Sequence, residues 1–343
     1  AVVDAVLDQD PYGRAAIETV ATRDYLLIAG EITAQATVDL EEIARAQIRR
    51  LGYTDPILQF TDQSPINVLV HAQSPEIAVG VEEQGAGDQG MMFGYACRDT
   101  GQLMPLPIMM AHSLTRRIDR CREERILPYL RPDGKAQVTV DYVNGKPVGI
   151  QTVVLAVPHL PTVKLEDVRH DLYEQVVKPV LSEFGYVIDQ GQLIVNGTGV
   201  WHLSGPASDT GLTGRKIVVD TYGGYARVGG GCFSGKDPTK VDRSGAYAAR
   251  FLAKNLVAAG LADRAEVSLA YCIGVRQPVM KEIETFHTEK KEKKIIREFV
   301  DSLLDTSVAG IIEGLQLRQP IYLPTAAYGH FGREEFPWER VAF

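Results

Sequence analysis

The 343-residue sequence predicts an α+β fold in three pieces of comparable size. Helical and strand patterns interleave along the chain, and hairpin signals recur among them. Two loop-rich stretches, near residues 76–84 and 204–208, divide it. Interleaving alone would suit a parallel sheet, but hairpins favour α+β. The pieces are taken as 1–80, 81–203 and 204–343, and no repeat period is visible.

The elements follow in order. Residues 1–9 carry an apolar helical pattern, which Pro11 and Gly13 break. Residues 25–32 are an apolar run and read as a strand. Leu40, Ile43, Ala44, Ile48 and Leu51 recur at helical spacing before Gly52, so a helix is predicted over residues 40–51. Residues 61–90 are rich in Gln, Ser, Pro and Gly, and most read as loop. Val138, Val140 and Tyr142 alternate as in a strand, Asn144-Gly145 is a hairpin signal, and residues 149–157 return as a second strand. A long amphipathic helix is predicted over 166–184. Strands are predicted at 216–219 and 266–273, and helices at 242–259 and 291–304.

Composition excludes several function classes. Hydrophobic residues make up 45% and charged residues 23%, an ordinary globular mix. No apolar run approaches the roughly 18 residues of a membrane span. The net charge of -8 argues against general nucleic-acid binding. Cys97, Cys121, Cys232 and Cys272 form no C-x-x-C pair, so they read as reduced, cytosolic and mostly buried, not as zinc ligands. His71, His112, His159, His170, His202, His287 and His330 sit in no nucleophile motif, and each reads as structural.

Chemistry concentrates in three glycine-rich stretches: Gly85-Ala86-Gly87-Asp88-Gln89-Gly90, residues 209–216, and residues 229–240. Gly230 to Lys236 fits the first seven positions of a phosphate-binding loop, but Asp237 stands where that loop needs a Ser or Thr hydroxyl for magnesium. Its polar approach, residues 222–227, does not read as the required strand. Arg215, Lys216, Lys236 and Lys240 fall close together with Asp237 and Asp242 among them. If a helix starts near Pro238, Lys236 and Lys240 point the same way. Ammonium groups beside carboxylates suit a polyphosphate with Mg²⁺; a solvated helix start with surface ion pairs is the other reading.

These strings resemble the S-adenosylmethionine synthetase family. Residues 85–96 resemble its central signature, and residues 229–244 its glycine-rich lysine signature. Gly30-Glu31-Ile32, residues 130–135, 211–224 and 326–332 follow the same order, so the resemblance covers essentially the whole chain. It implies three similar α/β-sandwich domains related by pseudo-threefold symmetry. It also implies a cytoplasmic homodimer or homotetramer with active sites between subunits, and no nucleic-acid or membrane partner. The implied reaction joins ATP and L-methionine: sulfur attacks C5′, triphosphate leaves, and the triphosphate is hydrolysed to pyrophosphate and phosphate.

By this resemblance Lys135, Arg215, Lys216, Lys236 and Lys240 are the catalytic cations around the phosphates and substrates. Asp242 holds Mg²⁺ and Glu18 helps hold K⁺. Glu31, Gln73, Asp88, Asp133 and Asp209 bind substrate, while Trp201 and Ile273 sandwich the adenine. The family opens with a His-Pro-Asp-Lys motif upstream of the point matching Ala1. Its histidine and aspartate are absent from these residues, and the retained remainder implies a trimmed head. The stretch from Gln73 to Gly85 is a few residues short of the family's mobile lid. Asn196-Gly197-Thr198-Gly199-Val200-Trp201-His202 replaces a more usual Asn-Pro-Thr-Gly-Arg-Phe-Val, which removes one positive charge and keeps a ring for stacking. The alternatives are an inactive, nucleotide-binding regulatory homologue and an unrelated phosphotransferase built on residues 230–236.

Overall fold

The computed structural model describes residues 1–73 and 85–343. The division near 76–84 and the interior of the lid stretch lie outside the described residues.

Helix α1 (Val2–Gln9) leads into the antiparallel hairpin β1 (Arg14–Thr22) and β2 (Tyr25–Thr33), paired from Arg14↔Thr33 to Thr22↔Tyr25. Strand β3 (Ile66–His71) adds parallel to β2, within the stretch read as loop. Its alternation is weak because most of the strand is exposed. Between them runs α2 (Leu40–Leu51), capped by the Asp39 carboxylate, which accepts from the Glu42 amide at 2.9 Å.

A second sheet repeats the pattern of a hairpin with a parallel third strand. Its order is β5 (Lys135–Val143), β6 (Lys146–Ala156) and β7 (Leu193–Val195). Asn144 and Gly145 turn the hairpin with φ of 51° and 73°, the left-handed pair that a tight hairpin requires. Val153, Leu155, Leu114, Ile118, Val168 and Leu172 share its core. Helix α3 (Leu106–Glu123), which the sequence reading did not identify, covers this sheet together with the rod over residues 165–183. That rod is not one α-helix. A π turn at Tyr173–Val177 separates α4 (Leu165–Leu172) from α5 (Lys178–Glu183). Pro179 has no N–H for the carbonyl four residues back. That carbonyl, of Gln175, instead accepts from Arg117 Nε at 2.8 Å.

The third sheet is antiparallel, in the order β10 (Met280–Glu284), β9 (Arg264–Tyr271) and β4 (Gly90–Cys97). Strand β4 therefore lies in a sheet whose other strands come nearly 170 residues later. Helix α7 (Val241–Ala258) lies across it, buried along nearly its whole length. Helices α8 (Lys293–Leu303) and α9 (Val308–Gly314) complete this layer.

Residues 216–219 are not a strand. Only β8 (Gly211–Leu212) pairs there, with β1, and the chain then makes the short helix α6 (Ile217–Asp220). The next stretch of the β1 edge is already filled: Ile17 N donates to Gly235 O at 2.9 Å, and Ala16 bridges Lys236. The β-branched pair Val218 and Val219 is left without a strand partner.

Inside α7, Arg250 is fully buried and donates to both oxygens of Glu339, at 2.9 and 2.8 Å. It also donates to the carbonyls of Tyr95, Leu103 and Gln102. Lys254 donates to Glu339 Oε2 at 2.9 Å, and the Gly332 amide to Oε1 at 2.8 Å. Removing the shared acceptor leaves two buried cations. Glu339→Ala is therefore expected to cost about 3–5 kcal/mol of unfolding free energy, read from its denaturant midpoint. A loss below about 1 kcal/mol would contradict this account of the core.

Candidate active site

The outer edge of β1 collects the site. Thr213 sits against Thr19, with hydroxyl to amide at 2.8 Å and hydroxyl to hydroxyl at 2.7 Å. Further along, Asp237 clamps Ala15: its amide donates to Ala15 O at 3.0 Å, and its Oδ2 accepts from Ala15 N at 2.8 Å. Two loops, one carrying Arg215 and Lys216 and the other Lys236 and Lys240, thus dock side by side.

The expectation that Lys236 and Lys240 project from one helix is corrected. Helix α7 begins at Val241, and Lys240 only caps it. Pro238 and the Asp237 clamp keep the preceding residues on the β1 edge. Lys236 Nζ instead reaches Asp242 Oδ2 at 2.7 Å, while Lys240 pairs with Asp237. The glycines serve close packing. A Cβ on Gly231 would overlap the Asp242 carboxylate, and one on Gly229 would overlap the Met91 carbonyl. No strand runs into residues 230–236, as the polar approach suggested, so they do not form the strand–loop–helix nucleotide motif. Arg243, which the sequence reading did not single out, is buried beneath the loop. It donates to Lys236 O at 2.8 Å and stands 4.4 Å over the Tyr322 ring.

Glu18 faces this cluster from β1. Partial desolvation holds its carboxyl above the usual range, Lys236 opposes the shift, and Glu31 adds to it. Glu31 on β2 lies 3.5 Å from His71, its register partner on β3. Gln73 follows that strand. Its amide donates to Thr33 at 3.0 Å, and its Oε1 is buried with no partner among the described residues. Sequence reasoning missed His71 as a neighbour of the site because only strand pairing brings it to Glu31.

A second group gathers at the start of β5. Lys135 Nζ stands 5.2 Å over the Trp201 ring, and Trp201 Nε1 donates to Ser208 Oγ at 3.3 Å. Asp133 accepts from the Gly205 amide at 3.1 Å. Burial raises its pKa, Lys135 lowers it and Asp209 raises it, so these charges sense one another. A third group joins the two remaining residues. Ala86 bridges Ile273, which is 54% exposed, and Asp88 follows two residues later. This group adjoins Asp242 through Gly90. The two residues expected to sandwich the adenine, Trp201 and Ile273, therefore belong to different groups.

Arg215 and Lys216 are exposed and make no ion pair among the described residues. Among those residues no three His, Cys, Asp or Glu side chains gather as a metal cage. Asp242 offers one carboxylate in a glycine cradle, which suits a cation that takes its other ligands from phosphate and water. His112, His159 and His330 are buried, and desolvation holds all three below the usual histidine range. All four cysteines are free: Cys97 and Cys121 are buried, and Cys232 and Cys272 are partly so. Polar cavities of about 870 and 720 Å³ lie elsewhere, around Lys281 and Asp301 and around His112 and Arg333.

Asp220 lies beneath the site, where its carbonyl accepts from the His330 amide at 2.9 Å. Burial raises its carboxyl from 3.8 to about 6, against the pull of Arg243. The folded state therefore holds this proton more tightly than the unfolded chain. The associated stability is complete below 3.8 and is lost as pH rises through about 6. Asp220→Asn should gain on the parent over that window and hold a constant advantage above it, measured by urea unfolding at stepped pH. Parallel stability profiles would contradict the assignment.

The N-terminal, central and C-terminal domain models of S-adenosylmethionine synthetase match residues 1–75, 83–201 and 203–340. The S-adenosylmethionine synthase of Treponema denticola is 49% identical over 351 residues, covering 99% of this chain and 90% of that protein. Its namesake in Roseiflexus castenholzii is 49% identical over 362 residues, covering 99% and 89%. That of Sulfurovum sp. is 49% identical over 349 residues, covering 99% and 90%. With three domain models matched in order along nearly its whole length, the chain belongs to the S-adenosylmethionine synthetase family.

Proposed function

We propose that this chain makes S-adenosylmethionine from ATP and L-methionine at the cluster on the β1 edge. The observation that carries the reading is the charge arrangement there. Lys236 and Lys240 are fixed by carboxylates, and Arg215 and Lys216 stand beside them without ion pairs among the described residues. Such an array suits a polyanion.

The chemistry asks little else of the protein. A thioether sulfur is already a nucleophile. Its lone pair forms the bond to C5′, the C5′–oxygen bond breaks, and that electron pair leaves with the triphosphate. Lys135, Arg215, Lys216 and Lys236 hold the phosphates and stabilise the charge that grows on the leaving oxygen. Lys240 orients Asp237 and the substrate end of the loop. Glu31, Gln73, Asp88, Asp133 and Asp209 bind the methionine and the adenosine, between Trp201 and Ile273. Asp242 is the residue that would hold Mg²⁺, and Glu18, near Glu31, would help hold K⁺. Bound Mg²⁺ would neutralise phosphate charge in both the displacement and the hydrolysis.

We further read the chain as three similar domains, 1–80, 81–203 and 204–343, related by a pseudo-threefold. The repeated hairpin-plus-parallel-strand pattern of the first two sheets supports this reading. A homodimer or homotetramer with the site between subunits would bring Trp201 of one copy against Ile273 of another. Among the described residues no helix is long and apolar enough to cross a membrane. From the family resemblance we place the enzyme in the cytoplasm. No observation favours an inactive regulatory homologue.

Mass spectrometry of a reaction with ATP, L-methionine, Mg²⁺ and K⁺ tests the proposal. S-adenosylmethionine, pyrophosphate and phosphate should appear in equal amounts. Lys236→Met should lower kcat by about 10²–10³-fold, the size expected for removing one preorganised charge donor. Folded, full-length enzyme that forms no S-adenosylmethionine would refute the reading.

A further inference from the structure

We infer that Arg131 is a positioning residue for Trp201. The inference rests on the reading that Trp201 stacks on the adenine.

Three segments meet at the Trp201 backbone. Arg131 N donates to Pro158 O at 2.8 Å, and Leu160 N to Tyr129 O at 2.9 Å. The His159 amide then donates to the carbonyl of Trp201 itself, at 2.9 Å. His202 Nδ1 lies 3.0 Å from the His159 carbonyl. A carbonyl only accepts, so this nitrogen carries the proton. The Arg131 guanidinium closes the knot by donating to the His202 carbonyl. Residues 201 and 202 are therefore pinned from both sides.

Arg131 is unusual in how it spends its charge. It is 8% exposed, its one side-chain hydrogen bond goes to the His202 carbonyl, and no carboxylate pairs with it among the described residues. A buried cation is costly without strong acceptors, so this contact is where its charge is compensated. That contact holds the peptide next to Trp201. Two residues on from Arg131, Asp133 accepts from Gly205 and ties the other end of the same strap. The indole is thereby presented edge-on to Ser208 with its face toward Lys135. A ring held in place loses little freedom when a planar base stacks on it.

The test compares Arg131→Met and Arg131→Lys with the parent, as full-length enzyme. Acrylamide quenching reports Trp201, because Trp338, the other tryptophan of these 343 residues, is fully buried. Arg131→Met should raise KM for ATP about tenfold, leave kcat and KM for methionine within about twofold, and increase the quenching. Arg131→Lys, which keeps charge and a donor, should recover most of both and serves if Arg131→Met fails to fold. In a Trp201→Ala background Arg131→Met should add nothing to KM for ATP, since the two act as one unit. Unchanged KM and quenching in a folded Arg131 variant would overturn the inference. So would a further loss in the Trp201→Ala background, which would mean that Arg131 meets the nucleotide directly. If Trp201→Ala alone leaves KM for ATP unchanged, the adenine reading fails instead, and the quenching still decides whether Arg131 holds the ring.

Discussion

Everything in the C-terminal half hangs on Glu339. Its carboxylate is buried with two cations of α7, Arg250 and Lys254, and it also accepts the Gly332 amide. The chain's last segment is thus locked onto a helix that is itself buried along nearly its whole length. Arg250 also binds three carbonyls of residues 95–103, so the same group ties in β4 and the turn after it. Buried charges of this kind are strongly destabilising when broken. The helix therefore cannot shift without unpairing its own charges. Its first turn carries Asp242 and Arg243, and so inherits a fixed position.

The proposed site rests on that rigidity. Lys236 and Lys240 sit on a loop that α7 anchors from one side and β1 clamps from the other. The displacement of triphosphate requires neither a base nor a protein nucleophile; it requires cations placed in advance where charge will grow. The glycines of residues 229–231 serve this by letting the loop lie against Met91 and Asp242. Glu18 remains partly desolvated beside Glu31, an electronegative spot that a cation would relieve.

Much of this was legible in the sequence, for identifiable reasons. The hairpin at Asn144-Gly145 and the helix ending at Gly52 are read correctly because local turn chemistry decides them. The ordered strings around Asp88 and Lys236 pointed to the family that the domain models match. Other features depend on tertiary pairing and escape a local reading. Strand β3 is mostly exposed and shows no clear alternation. Residues 216–219 have strand-like composition, but Gly235 and Lys236 already occupy the edge they would need. The π turn at Tyr173–Val177 follows from a single proline that helical periodicity does not register. Arg131 and Arg243 gave no signal of their own, since each meets a residue far away in the chain, His202 and Tyr322 respectively.

The central claim is that sulfur displaces triphosphate directly, with the protein supplying charge and no covalent partner. The stereochemistry at C5′ tests it most directly. ATP carrying deuterium stereospecifically at C5′ would be converted with L-methionine, and the configuration of the product read by NMR. A single direct displacement predicts inversion. Retention would mean two displacements through a protein nucleophile, and would contradict the account.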